Sequence, residues 1–249
     1  MRSSLGPQSV NITIFDRSPS DWRDLQNLVA QLFRELGCDV DVGRRIELVR
    51  GSKEVDVLVA DVASTPPARY LVECKFWSRA VPLEVVHSFR TVVADSGAHR
   101  GFIVSLVGFQ EGAHSAASMT NVELVTFDQL QAMFRDRWLV SMGRRYMAVG
   151  DALFPYWDYP GKMPKIPWTR DHVERQQALI EAYRPIVGLR PSLEISNWRW
   201  NLPMSFPSID EAGRVTGSLT LKTYREVYDF IEAKKDLALR HFQEVYGEV

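Results

Sequence analysis

The chain has 249 residues, with 30 Lys and Arg against 31 Asp and Glu, a formal net charge of −1. Hydrophobic residues at 45% and charged residues at 24% are ordinary globular proportions. They argue against global disorder and against a uniformly basic or acidic chain. Cys38 and Cys74 are too few for a disulfide framework or a four-thiolate zinc site. No run approaches the ~18 apolar residues of a membrane helix. With reduced thiols and no signal-peptide pattern in the first residues, the expectation is a soluble, cytoplasmic protein with no membrane partner.

In chain order, Val10 to Phe15 predicts a short strand or an extended arm, closed by Ser18-Pro19-Ser20. Trp22, Leu25, Leu28, Val29, Leu32, Phe33 and Leu36 recur at spacings of three and four, one face of a helix. Three strands are expected next, over 38–49, 53–61 and 69–76, with connections short enough for an antiparallel meander. A helix over 82–94, a strand over 101–106, a helix over 110–119 and a strand over 121–127 follow, and Asp128 is placed to cap a further helix. This order predicts an α/β fold, a mixed β-sheet flanked by helices. Beyond about residue 150 the texture changes to Pro- and aromatic-rich segments between helices expected over 169–183 and 222–246. The expected divisions are an N-terminal arm over 1–19, an α/β domain over 20–150 and a mostly helical accessory region over 151–249.

Asp56, Glu73 and Lys75 carry the chemistry. Strand side chains alternate, so Glu73 and Lys75 share a face, separated by roughly 6.6 Å of backbone rise, and Cys74 points the other way. Asp56 comes from the preceding strand. Two carboxylates with carbonyls and waters suit a hard cation such as Mg2+. Two neighbouring carboxylates favour the charged form of Lys75, and so an electrostatic role over a basic one. The same three residues also have a structural reading, as an ion cluster.

The segment KEVDVLVAD…RYLVECKFW resembles the core of the PD-(D/E)xK nuclease superfamily, and the span from Asp21 to about Leu130 is similar to its Mrr-like restriction endonuclease branch. The resemblance implies a restriction-endonuclease-like sheet. It implies a metal-dependent endonuclease hydrolysing DNA phosphodiester bonds, in restriction or another defence against foreign DNA. Asp56 and Glu73 would hold Mg2+, with Mn2+ able to substitute, and Lys75 would orient water or offset developing charge. A homodimer is implied if both strands are cut, and a partner subunit of a defence complex is a further expectation. The family usually places a Glu on the first helix; the matching position here is Gln26, a weaker metal ligand. Glu54 and Asp24 are the candidates to compensate. The alternative is a weakened nuclease fold that binds nucleic acid or a partner.

Near-neutral net charge means that any nucleic-acid footprint must be local. Arg44, Arg45 and Lys53 upstream of Asp56, and Arg79 and His87 downstream, are the candidate nucleic-acid contacts, with Arg50, Arg90 and Arg100 nearby. A solvated hairpin rim is the other reading of the arginines, and hydrogen-bonded packing the other reading of His87. Trp198-Arg199-Trp200 suggests either base stacking or core packing.

Overall fold

The structure is a computed structural model and describes residues 13–157, 161–187 and 202–248. It divides into two compact units, residues 17–141 and residues 1–16 with 142–249.

The first unit opens with helix α1 (Trp22–Glu35), capped by the Asp21 carboxylate, which accepts from the Asp24 amide at 2.8 Å. Its buried face is the expected one over Leu25, Leu28, Val29, Leu32 and Phe33, but Trp22, expected on the same face, is exposed. Strands β1 (Asp39–Leu48), β2 (Gly51–Asp61) and β3 (Ala68–Lys75) pair antiparallel in succession. After helix α2 (Leu83–Asp95), strand β4 (Arg100–Ser105) lies parallel to β3. After helix α3 (Glu111–Ala117), strand β5 (Val122–Thr126) lies parallel to β4. The sheet order is β1-β2-β3-β4-β5. A meander followed by two helical crossovers leads to this order, because parallel neighbours need a connection long enough to return along the sheet.

Each face of the sheet has its own core. On one, Phe33 of α1 meets Phe102 of β4 and Phe134 of helix α4 (Phe127–Leu153) with ring centroids 6.4 and 5.1 Å away. On the other, Val86, Phe89 and Val93 of α2 pack with Leu71, Ile103, Ala113 and Ala116. α2 lies almost directly on β4. A Cβ on Gly101 would stand 2.5 Å from Val93 and 2.7 Å from Phe89, so only hydrogen fits there.

The second unit contains α5 (Arg170–Ala182), α6 (Arg184–Val187), a hairpin of β6 (Met204–Ile209) and β7 (Val215–Leu221), and α7 (Tyr224–Val245). Leu179, Tyr183, Phe206, Val227, Ile231 and Phe242 are buried in it. The hairpin is an addition to the helices expected here. The expected strand at Val10–Phe15 is absent over its described part, although Ile14 and Phe15 are buried. Residues 151–153, expected to begin a linker, end α4 instead, and a 3-10 turn spans Phe154–Tyr156. Trp198-Arg199-Trp200 lies outside the described residues. Among those described, no helix is long and apolar enough to cross a membrane.

Candidate active site

The β2–β3 ladder runs from Asp61↔Ala68 to Val57↔Val72 and stops there. One step further, the same register sets Asp56 against Glu73. Instead of another backbone bond, the Cys74 amide donates to the Asp56 carboxylate at 2.7 Å. The side chain thus completes a hydrogen bond where the strands separate.

The strand also turns over at this point. Val57 pairs with Val72, which neighbours Phe102 on the α1 side. Val55, two residues earlier, packs instead with Leu71 and Leu58 on the α2 side. Strict alternation would keep Val55 and Val57 together, so β2 inverts at Asp56. On β1 the register places Gly43 across from Asp56, between Val42↔Val57 and Arg44↔Val55. Gly43 has φ of 63°, a left-handed conformation that costs other residues more. The inversion is built from both strands.

Glu73 and Lys75 project from β3 toward α2. Their side chains are mostly buried, at 15% and 17% exposure, and the Lys75 ammonium forms an ion pair with the Glu73 carboxylate. Lys75 Nζ also lies 5.4 Å from the centre of the Trp77 ring, and Arg79 Cζ lies 5.7 Å from the same ring. Beside them is a cavity of about 290 Å³, lined by Lys53, Glu73, Lys75, Trp77, Glu84 and Phe89 among others.

Burial pushes the Asp56 carboxyl above the ordinary aspartate range, and the nearby Glu73 charge adds to this. The Cys74 amide, Lys75 and a hydrogen-bonding contribution from the Gln26 side chain act in the opposite direction. Gln26 therefore sits beside Asp56, so the structure brings together Asp56, Glu73, Lys75 and Gln26. Burial, then the charges of Asp56 and Glu73, raise the Cys74 thiol well above its usual value. Cys38 is pushed up to about 11, again mainly by burial. Neither thiol is set up as a nucleophile.

The outlying candidates separate. Asp24 accepts from Arg17 Nη1 and Nη2 at 2.5 and 2.8 Å and from the Ser20 amide at 2.8 Å, so it latches the start of α1. Glu54 is exposed. Arg44 lies 3.9 Å from Asp41, and Arg45 donates to Ser52 Oγ at 2.9 and 2.6 Å; neither lines the cavity beside Glu73. Lys53 does line it. His87 does not: it lines a second cavity, with Arg50 and Arg90. Trp77 and Glu84 also line the cavity beside Glu73, outside the set expected from the sequence. Trp77 continues the 73, 75 spacing by two more residues, a signal that was available. Glu84 is in the first turn of α2, and nothing in the linear sequence ties that turn to β3.

The donors available to a metal are carboxylate oxygens. Among the described residues no group of three or more His, Cys, Asp and Glu side chains is placed to hold one. Two carboxylates with the remaining positions left to water or carbonyls fit a hard divalent cation such as Mg2+, which retains several waters.

Residues 18–134 match the family model Mrr_cat, described as restriction endonuclease. The match contains Gln26, Asp56, Glu73 and Lys75. This segment is similar to the catalytic domain of Mrr-type restriction endonucleases. Among solved structures, the chain is similar to the protein of unknown function AF1548, at 15% identity over 62% of this chain and 76% of that one, with a TM-score of 0.40. It is also similar to the MspJI restriction endonuclease in complex with a 27-mer oligonucleotide, at 20% identity and a TM-score of 0.32. That second likeness covers 49% of this chain and 29% of MspJI. No curated protein matches the chain.

Proposed function

We propose that the chain is a divalent-metal-dependent deoxyribonuclease acting on DNA phosphodiester bonds, in restriction or another defence against foreign DNA. The observation that carries this reading is the meeting of Asp56, Glu73 and Lys75 at the open end of β2 and β3, inside the Mrr-type segment. Asp56 and Glu73 would hold the cation, Mg2+ or Mn2+. When bound, it supplies Lewis-acid chemistry to a phosphodiester. The Cys74 amide fixes the Asp56 carboxylate, which limits the reorganisation needed at the moment of reaction. Lys75 offers ammonium donors to charge growing on the phosphoryl oxygens, and its pairing with Glu73 and the Trp77 ring sets its direction. Gln26 steadies Asp56 through its side-chain amide. A site of this kind cuts one strand, so cutting both requires a second copy.

Plasmid DNA incubated with Mg2+, Mn2+ or EDTA, with Lys75→Ala in parallel, tests the reading. Nicking or linearisation that needs the metal and disappears in the variant is the expected result. Equal cleavage by both proteins would sink the assignment.

A second reading is motivated by Gln26 in place of the helix carboxylate: a weakened fold that binds nucleic acid or a partner subunit without cutting. Duplex binding without cleavage under any divalent ion, and no calorimetric signal for Mg2+ or Mn2+, would favour it. Restoring the carboxylate with Gln26→Glu should then raise metal affinity.

A further inference from the structure

The second cavity of the Mrr-type domain is larger than the first, about 590 Å³, and lies on another side of α2. Glu84, Val85, Ser88, Phe89 and Val92 face the cavity at Glu73, whereas His87, Arg90, Thr91, Ala94 and Asp95 face this one. At 3.6 residues per turn, the two sets are roughly a third of a turn apart, across a helix that is ~10 Å wide with its side chains. One phosphate cannot touch both.

Three segments build this second cavity. The β1–β2 turn contributes Arg50, α2 contributes His87 and Arg90, and the α3–β5 loop contributes Met119, Thr120 and Asn121. Both arginines are held from behind. Arg50 donates through Nε and Nη2 to Asp95 at 3.1 and 3.3 Å, and Arg90 donates through Nη1 to the Ala116 carbonyl at 2.9 Å. Asp95 is the cavity's one carboxylate, and its pairing with Arg50 leaves the charge of Arg90 uncompensated by any other lining residue. Such held guanidiniums lose little freedom when they bind a tetrahedral oxyanion. The rim is also distinctive. Met119 has φ of 57°, rare outside glycine, and its side chain is fully exposed. Backbone held in this way is costly and clusters at ligand sites.

We propose that this cavity binds a phosphate of the DNA backbone other than the scissile one, and so sets the position of the duplex relative to Asp56, Glu73 and Lys75. The proposal rests on the nuclease reading for its choice of DNA as the source of the phosphate. Arg50 and Arg90 supply the guanidinium donors, with His87, Thr91 and Asn121 around them.

The test measures duplex affinity of the full chain in EDTA as a function of salt, which separates it from cleavage. The variants are His87→Glu and Arg90→Gln, with Val62→Glu as an exposed charge control elsewhere on the domain. Each cavity variant should weaken binding roughly three- to tenfold and reduce the slope of log affinity against log salt by about one. Arg90 supports the end of α3, so His87→Glu, at an exposed position, keeps the test readable if Arg90→Gln unfolds. Loss of affinity in His87→Glu no greater than in Val62→Glu, with an unchanged slope, overturns the proposal. Inorganic phosphate and a deoxynucleoside monophosphate form a second arm, read by thermal shift. Their binding to wild type but not to His87→Glu, with duplex affinity unaffected, assigns the cavity to free phosphate and also overturns it. A wild type that binds no duplex overturns it as well. A wild type that binds with the expected slope change yet never cuts DNA sinks the nuclease reading alone.

Discussion

The Asp56 carboxylate accepts a 2.7 Å hydrogen bond from the Cys74 amide, and so does for β3 what a backbone carbonyl of β2 would do one step further along the ladder. The residue therefore has two separable properties, its charge and its acceptor oxygen. Asp56→Asn keeps an oxygen for the amide and removes the charge. It should retain the fold and lose DNA cleavage by at least a hundredfold. Asp56→Leu removes both, leaves the amide unpaired, and should also cost about 1–3 kcal/mol of stability. Urea unfolding of the two variants, beside plasmid nicking, checks the separation. Equal stability of both would mean that the hydrogen bond contributes nothing to the fold.

Trp77 stands under two cations, Lys75 at 5.4 Å and Arg79 at 5.7 Å. Contacts of this kind contribute ~0.5–1 kcal/mol at exposed sites and more when desolvated. Trp77→Ala should lower the cleavage rate severalfold at saturating DNA, because Lys75 loses a support, and Trp77→Phe should recover most of it. A change confined to DNA affinity would instead assign the ring to substrate contact.

Gly101 lies beneath α2, where an added Cβ would collide with Val93 and Phe89. Both neighbours are buried, Val93 at 0% and Phe89 at 4% exposure, so neither can swing out into solvent. Gly101→Ala should destabilise the domain by about 1–3 kcal/mol through overpacking. A denaturation midpoint unchanged from wild type would show that α2 can lift from β4 freely.

Much of the first unit was legible because its periods are clean. The spacing of Leu25, Leu28, Leu32 and Phe33 belongs to a helix that buries one face, and Val57 and Val59 keep strand alternation on one side of the sheet, whereas Val55, expected on that same face, lies on the other. Glu73 and Lys75 were legible for the same reason. The inversion at Asp56 was not, because it depends on Gly43 across the ladder, and register is a long-range property. The destination of His87 depends on which face of α2 is buried. That face is set by Val86, Phe89 and Val93, and His87 follows it away from Glu73. In the second unit, β6 holds Pro207, a residue that argues against a strand. It is tolerated because a two-stranded ribbon has only edges. The length of α4 was also hidden: its first half buries Leu130 and Trp138 and its second half Tyr146 and Leu153, so no single apolar stripe runs through it.

Asp61 at the end of β2 is fully buried, and Arg137 of α4 holds it with two donors, at 2.5 and 2.8 Å. Tyr70 adds a longer contact at 3.4 Å. Hydrogen bonding from Arg137, above all, keeps the Asp61 carboxyl below its ordinary value of 3.8 despite its burial. A carboxyl depressed in the folded state binds its proton less readily there than in the unfolded chain. The resulting stabilisation is present above the unfolded value and is lost as pH falls through the folded one. Wild type should therefore lose stability as the pH falls below about 4. Asp61→Asn should lose less over that range, because it has no carboxyl to protonate. At neutral pH the same variant removes the charge from a doubly hydrogen-bonded pair and should cost about 1.5–3 kcal/mol. Urea midpoints measured from pH 3 to pH 7 on both proteins give the two slopes. Parallel slopes would remove Asp61 as a source of acid sensitivity, and the ion pair with Arg137 would then contribute to packing alone.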